Sequence, residues 1–414
     1  MIHFGAHFES NPQTASFKFS TGLGIPVGEE IKRILANPST PLKFSPTVSA
    51  APKKVLIENA SLRTLAELTL KITTAKEITW RLGTSKVMYR QDIEKALGKV
   101  PWERILPPSS TLALRITTAK SRLYHSGLIE EESNKFFQAK NFIVERKAAA
   151  FTTIDISLNN NVFALGIALG GEPLNHRGYR SSLAHQAPLN EILAAGIINF
   201  AFDEISKEDL RLNVAPTDIH VPFAGTGTFG LEALLKFGNI APCIFRENYA
   251  IEKFIPVSEN SSLHTRKKAR NDIATDLPKL LFIDNSEKAI SSLKANLSHV
   301  TKLLNEIDIK LPSAVVEPLD FFEWKSPPAS SGVTCLLLNP PYGHRMATAE
   351  KLYPRLGAQL RRLYQHSSHP VWGVCLTPPG NQAEQFLKTL QPTFNRRITL
   401  RNGGLATEAV VFIL

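Results

Sequence analysis

The chain has 414 residues, 43% of them apolar, and a formal charge of +11, enough for two or three domains around sizeable cores. Mean hydropathy is near zero and no run of 18 apolar residues occurs, which argues against a transmembrane helix; residues 1–20 lack the basic segment and apolar run of a secretory signal. Cys243, Cys335 and Cys375 are far apart with no CxxC spacing, which argues against a disulfide framework or a structural zinc site and fits a reducing cytoplasm.

The charge is uneven. Residues 1–150 carry 22 Lys and Arg against 13 Asp and Glu, while the remainder carries 26 against 24. A basic N-terminal third suggests a polyanion-binding module joined to something else. Residues 1–50 are rich in Pro, Gly, Ser and Thr, with one short helix expected over 31–35. Residues 55–58 read as a strand. Residues 61–72 read as a helix with Leu62, Leu65, Leu68 and Leu70 apolar and Ser61 as its N-cap. Strands are expected at 77–82 and 111–117, and helices at 91–97 and 125–137. Alternating strand and helix with a basic face describes a small α+β module over 1–150.

Residues 151–158 and 162–169 are two strands around Asn159-Asn160-Asn161, a hairpin with turn-prone residues in its loop. It is expected to serve, through residue 185, as a connector. A helix is expected over 187–200, with Pro188 near its first turn. Within 186–414, strands and helices alternate after about residue 215, which predicts a mainly parallel, doubly wound α/β sheet. Residues 241–276 interrupt the alternation. With Arg266-Lys267-Lys268 and Arg270, they read as an exposed, partly helical insertion.

The chemistry-bearing motifs lie in this second part. Residues 219–221 form an apolar strand that runs through Pro222-Phe223-Ala224 into Gly225-Thr226-Gly227-Thr228, followed by an amphipathic helix over 231–237. A glycine turn at a strand's carboxyl end lets the backbone approach a ligand and aims helix N–H groups at it. The spacing fits neither GxGxxG nor GxxxxGK[ST], so dinucleotide and ATP readings lose ground. The next strand ends in Asp284-Asn285, placing a carboxylate where a ribose diol would bind; capping of the following helix is a compatible reading. A third strand near 314–317 leads to Asp320 and Phe321, suited to an adenine amino group and ring.

The strand over 333–338 ends in Asn339-Pro340-Pro341-Tyr342-Gly343, the most specific feature in the chain. Methyl transfer to an exocyclic base amine needs two acceptors that orient a weakly nucleophilic nitrogen towards a sulfonium methyl. The Asn339 side-chain carbonyl and the Pro340 backbone carbonyl supply them, the prolines stiffen the loop, and Tyr342 can stack on a flipped base. No metal is required.

With these segments in order, the chain resembles class I methyltransferases that carry an N-terminal THUMP RNA-binding domain and form N2-methylguanine in ribosomal or transfer RNA. In particular it resembles the N-terminal half of the large-subunit rRNA guanine-N2 methyltransferase group. The resemblance spans roughly residues 50–414. It rests on Ser121-Arg122-Leu123-Tyr124-His125, His176-Arg177-Gly178-Tyr179-Arg180, the segment 188–195, the glycine turn with Glu232, 339–345 and 401–405. It implies a Rossmann-like methyltransferase domain preceded by a smaller α+β THUMP-like domain, and S-adenosylmethionine as cofactor. Phe223, Gly225, Thr226 and Gly227 would hold its methionine end, Asp284 with Asn285 its ribose, and Asp320 with Phe321 its adenine. It also implies an RNA partner, ribosomal more than transfer, with Arg122 among its contacts. Arg177 and Arg180, just ahead of the catalytic domain, read as RNA-phosphate or inter-domain contacts, with ion pairs that fix the linker as the alternative. Val221 stands where the family usually has Asp, and Ala224 where it often has Cys. Some members carry a second methyltransferase domain; this chain ends at Leu414, so one modification is expected. An adenine-N6 methyltransferase and a catalytically weak RNA-binding assembly factor are the rivals.

Overall fold

A computed structural model describes residues 11–145, 151–180, 189–257, 259–312, 314–341, 349–402 and 404–414. The chain divides into two compact units. One comprises Met1–Phe19, Ile31–Leu174 and Arg246–Lys268; the other Ser20–Glu30, Asn175–Phe245 and Ala269–Leu414.

The first unit is built on an eight-stranded sheet. In chain order the elements are β1 (Gln13–Lys18), α1 (Gly24–Ala36, its last part in this unit), β2 (Thr47–Ala51), β3 (Lys54–Ala60), α2 (Leu62–Lys71), β4 (Glu77–Lys86), α3 (Arg90–Leu97), α4 (Trp102–Ile105), β5 (Thr111–Ala119), α5 (Ser126–Ala139), β6 (Ile143–Val144), β7 (Thr152–Asn159) and β8 (Val162–Ala168). The strand order is β2-β3-β1-β4-β8-β7-β5-β6. Ser61 caps α2, its side chain accepting the Thr64 N–H at 3.0 Å. The first helix begins at Gly24, seven residues ahead of the expected start, because Leu23 and Val27 are apolar and fully buried.

Two expectations need correction. The β7–β8 hairpin is no connector. It sits in the middle of the sheet, β8 pairing with β4 and β7 with β5, and residues such as Ile154, Ile156, Phe163 and Ile167 are buried. Its Asn160 and Asn161 both take positive φ, the backbone that a two-residue turn between twisted strands needs. Nor is 241–276 a simple exposed insertion. Arg246–Lys268 belongs to this first unit, where Tyr249, Ala250, Ile251 and Phe254 are buried. There Arg266 pairs with Glu252 at 2.9 Å, and Arg246 donates to the carbonyls of Pro173 and Glu172.

The second unit contains α6 (Glu191–Glu208), β9 (Asp218–Pro222), α7 (Thr228–Phe237), the end of α8 (Glu259–Asn271), β10 (Lys279–Ile283), α9 (Glu287–Asn305), β11 (Val315–Glu317), β12 (Thr334–Leu338), α10 (Ala349–Tyr364), β13 (Val371–Thr377), α11 (Asn381–Leu390), β14 (Phe394–Asn402) and β15 (Leu405–Ile413). The sheet order is β11-β10-β9-β12-β13-β15-β14, parallel except for β15. β9, β12 and β13 are buried at every residue, as expected of parallel strands covered on both faces. One core lies against α6, α7 and α9, the other against α10 and α11. Helix α6 begins at Glu191 under an Asn190 cap, later than expected; Pro188 lies outside the described residues. Ser20–Glu30 belongs here because Leu23 packs on α6: a Cβ on Gly196 would sit 2.5 Å from Leu23 Cδ1. Among the described residues, no helix is long and apolar enough to cross a membrane.

Candidate active site

The carboxyl ends of four adjacent strands, β11, β10, β9 and β12, carry the motif residues. The strand order reverses at β9, and this is where a doubly wound sheet opens a crevice for ligands. In register, Pro222 of β9 pairs with Ile283 of β10, and Leu336 of β12 with His220 of β9. Phe223, Asp284 and Asn339 therefore leave neighbouring strands at the same sheet edge, strands being about 4.8 Å apart.

The turn after β9 is sharply bent and firmly held. Phe223 takes φ +57°, a left-handed conformation that costs a bulky side chain strain, and Gly225 and Gly227 take +56° and +83°. The Asp284 carboxylate accepts the Gly225 N–H at 2.8 Å and the Ser286 N–H at 2.9 Å, tying the turn to the start of α9. Buried Asn296 on α9 donates to the Thr226 carbonyl at 3.0 Å.

The two glycines do different work. A Cβ on Gly227 would lie 2.4 Å from Leu293 Cδ1, and the Gly227 N–H is bonded to the Ala224 carbonyl at 2.9 Å, so this residue serves helix packing. A Cβ on Gly225 would meet nothing within 4 Å. That open space beside a carboxylate is what a cofactor's polar end requires, so the residues fit the implied group. Sequence reasoning missed Gly230, where a Cβ would sit 2.9 Å from Val221 Cγ2 and 2.5 Å from Phe282. Val221 is thus a core residue under α7, 1% exposed.

At the β11 side, Asp320 Oδ1 accepts the Phe322 N–H at 2.9 Å and turns the chain so that Phe321 is buried. The Phe321 ring lies 5.6 Å from that of Phe223 and 5.8 Å from that of Phe322. Arg355 of α10 stacks on Phe322 at 3.9 Å. Asn285 is exposed beside Asp284.

At the end of β12, Asn339 Oδ1 is buried and has no hydrogen-bond partner among the described residues. Pro340 is buried and Pro341 exposed. Tyr342, with 343–348, lies outside the described residues. Thr377, at the end of the neighbouring β13, holds a second buried hydroxyl without a partner among those residues.

Beneath this edge lies His220, another residue sequence reasoning passed over. Its Nδ1 is 2.8 Å from the Tyr364 hydroxyl, and burial pushes its pKa down to about 4. It points to the α10 side of the sheet, opposite Val221.

The expected RNA contacts separate. Arg177 is 2% exposed and pairs with Glu232 of α7 at 3.3 Å; Tyr179 donates to the same carboxylate at 2.7 Å. Burial pushes Glu232 upwards against the pull of Arg177. A phosphate has no access to a guanidinium enclosed in this way, so Arg177 is corrected to the ion-pair alternative. Arg180 is half-buried, paired with Glu191 and donating to Thr228 Oγ1 at 3.0 Å, so it braces the start of α7 beside the glycine turn. Arg122 lies in the eight-stranded unit and is exposed.

The RMKL-like methyltransferase domain matches residues 177–408, more than half of the chain. The chain belongs to the RMKL-like methyltransferase family. Similar curated proteins include one from Synechocystis sp., named as a candidate RNA methyltransferase. It is 28% identical over 345 residues, which cover 78% of this chain and 79% of that protein. The ribosomal RNA large subunit methyltransferase K/L of Cellvibrio japonicus is 26% identical over 356 residues, 82% of this chain and 44% of its own. The chain thus spans less than half of that K/L protein. Among solved structures, a candidate methyltransferase crystallised with S-adenosylhomocysteine superposes with TM-score 0.73 at 20% identity, covering 97% of this chain and 98% of its own. TrmN from Thermus thermophilus superposes with TM-score 0.62 at 16% identity, covering 97% and 100%. These likenesses establish the fold over nearly the whole RMKL-like chain. S-adenosylmethionine is the methyl donor that goes with this family and fold.

Proposed function

We propose that this chain is an S-adenosylmethionine-dependent RNA methyltransferase that forms N2-methylguanosine, in ribosomal rather than transfer RNA. The observation that carries the reading is the buried Asn339 Oδ1 at the end of β12, which has no hydrogen-bond partner among the described residues. An acceptor left unsatisfied inside a protein costs about 1–3 kcal/mol, which a donor from the substrate offsets. A base amine supplies two such N–H groups.

Asn339 Oδ1 accepts one amine hydrogen and the Pro340 carbonyl the other, which points the nitrogen lone pair away from both. The same two dipoles favour the positive charge that grows on nitrogen during transfer, an electrostatic arrangement that exists before the reaction begins. When bound, the cofactor supplies an electrophilic methyl group on sulfur. Gly225 leaves room for its methionine end, with Phe223 and Thr226 alongside. Asp284 has lone pairs to spare for ribose hydroxyls after holding Gly225 and Ser286. Asp320 takes the adenine amino group, with Phe321 buried behind it as support rather than as a contact, and Tyr342 stacks on the guanine. The N-terminal unit, read as THUMP-like, grips the RNA with Arg122 among its contacts.

The names of the Synechocystis and K/L relatives support RNA as the substrate, and the K/L names support the ribosomal large subunit. Three buried free cysteines go with a cytoplasmic setting. Nucleoside mass spectrometry of ribosomal and transfer RNA, with and without the gene, tests the proposal. Loss of N2-methylguanosine from ribosomal RNA is expected. Loss of N6-methyladenosine with N2-methylguanosine intact would overturn the choice of amine.

A further inference from the structure

We propose that Tyr89, Arg122, Tyr124 and His125, on the eight-stranded unit, form a stacking platform for unpaired bases of an RNA strand. The inference rests on the RNA reading above and names where that unit takes hold.

The four side chains are exposed together. Tyr124 is 66% exposed and Tyr89 49%, and Arg122 and His125 are exposed beside them. The Tyr124 and His125 ring centroids are 4.0 Å apart, and the Arg122 guanidinium lies 4.5 Å over the Tyr89 ring, donating to its hydroxyl at 3.3 Å. A single exposed aromatic residue is unremarkable. Two π-faces, an imidazole and a planar cation in one patch make a surface on which bases stack, because every base has a π-face and guanidinium stacks as well.

The patch is also rigid, although it lies on loops. Three segments meet: the entry to α3, the stretch after β5, and the β7–β8 turn. The Val87 N–H donates to the Asn161 carbonyl at 2.9 Å, the Asn161 N–H to Ser121 Oγ at 2.9 Å, and the Arg122 N–H to Asn161 Oδ1 at 2.8 Å. Thr118 Oγ1 holds the Tyr124 carbonyl at 2.8 Å, and the Tyr89 N–H is held by Asp92 at 3.0 Å. Lys120, Asn160 and Asn161 take the left-handed backbone these short connections need. Little conformational freedom is left to lose when a base arrives.

Charge selects the partner. Many cations of this unit are consumed internally: Arg115 by Glu77 and Asp155, Arg90 by Glu131 and Glu132, Lys140 by Glu103, Lys71 by Glu67. Among the described residues, no carboxylate pairs with Arg122. An uncompensated guanidinium over an aromatic ring suits a strand whose phosphates and bases alternate. A duplex hides its base faces, so the fit is to a single-stranded loop or end.

Fluorescence anisotropy of the full chain with a labelled single-stranded RNA of about 12 nucleotides, at low salt, tests this. Tyr124→Ala is expected to weaken binding about tenfold, within what stacking of one base supplies. Tyr124→Phe should bind within about twofold of the wild type, whereas Tyr124→Leu, apolar but not planar, should behave like alanine. Arg122→Ala should make the log–log salt dependence shallower by about one, a change Tyr124→Ala does not cause. An abasic strand of equal length should bind the wild type and Tyr124→Ala alike. Wild-type affinity in both Tyr124→Ala and Tyr89→Ala would overturn the platform while leaving the enzyme reading in place. So would Tyr124→Leu binding as well as Tyr124→Phe. Absence of saturable RNA binding by the wild-type chain would instead overturn the RNA reading itself.

Discussion

On the side proposed to hold the cofactor, the turn between Phe223 and Thr228 is tied down by its own protein. Asp284 holds Gly225 at 2.8 Å, Asn296 holds Thr226 at 3.0 Å and Arg180 holds Thr228 at 3.0 Å. On the side proposed to take the amine, Asn339 leaves β12 with its carbonyl oxygen buried and no partner among the described residues. The first half is arranged so that a ligand meets a finished surface and little order need be created on binding. The second keeps an acceptor at a cost, and that cost is recovered only when a donor is present. A site built this way should separate experimentally into residues that set cofactor affinity and residues that set turnover.

The sharpest break of that comparison is Asn339→Ala. Turnover should fall roughly 100- to 1000-fold, the loss typical of removing one transition-state dipole. Affinity for S-adenosylmethionine, measured by calorimetry, should stay within about twofold. If the two quantities fell together, the halves would not be separable.

The scaffold beneath both halves provides a second test. His220 has its pKa at about 4 because burial disfavours the imidazolium, against 6.5 when exposed. The unfolded chain therefore binds a proton that the folded chain refuses between these values. Stability is unaffected above about pH 6.5, falls as the pH drops towards 4, and levels off below it. The expected loss is about 3 kcal/mol in all. Denaturant titrations across pH should show this slope in the wild type and a shallower one in His220→Gln. An equal slope in both would mean that the imidazole is not what titrates.

Asp284→Asn sharpens the comparison from the cofactor side. It keeps the shape but removes the charge that holds the turn, and a charge-assisted bond contributes about 1.5–3 kcal/mol. Cofactor affinity should drop about 10- to 100-fold while turnover at saturating cofactor changes little. Gly225→Ala is the mildest. Its added Cβ meets open space, so thermal melting should report only the strain of a positive φ, about 1 kcal/mol. A larger loss in cofactor binding than in stability would place the cofactor in that space.

Much of this site was legible because its signals are local. A glycine turn after an apolar strand, an acidic residue ending the next strand, and Asn-Pro-Pro after a fourth all follow from short-range geometry, and each occupies the expected strand end. Asn296 had a readable signal too: a polar residue on the apolar stripe of α9, between Leu293 and Val300. Arg177 had none. Its charge suggested a surface, and only its pairing with Glu232, 55 residues along the chain, made burial tolerable. The +9 of the first 150 residues already subtracts its carboxylates, but a count does not show which cations those carboxylates hold and which stay open to a partner.

The sequence by itself determined the family, the parallel sheet with its helices, the glycine turn and the Asn339 loop, because strand and helix periodicity and turn chemistry act over a few residues. Tertiary structure alone decided which segments share a unit: Ser20–Glu30 with the methyltransferase sheet, the β7–β8 hairpin and Arg246–Lys268 with the eight-stranded one. It also decided which cations are free and which glycine faces open space. These outcomes depend on contacts between residues tens to hundreds of positions apart, and burial there is settled by shape and charge matching that no local pattern encodes.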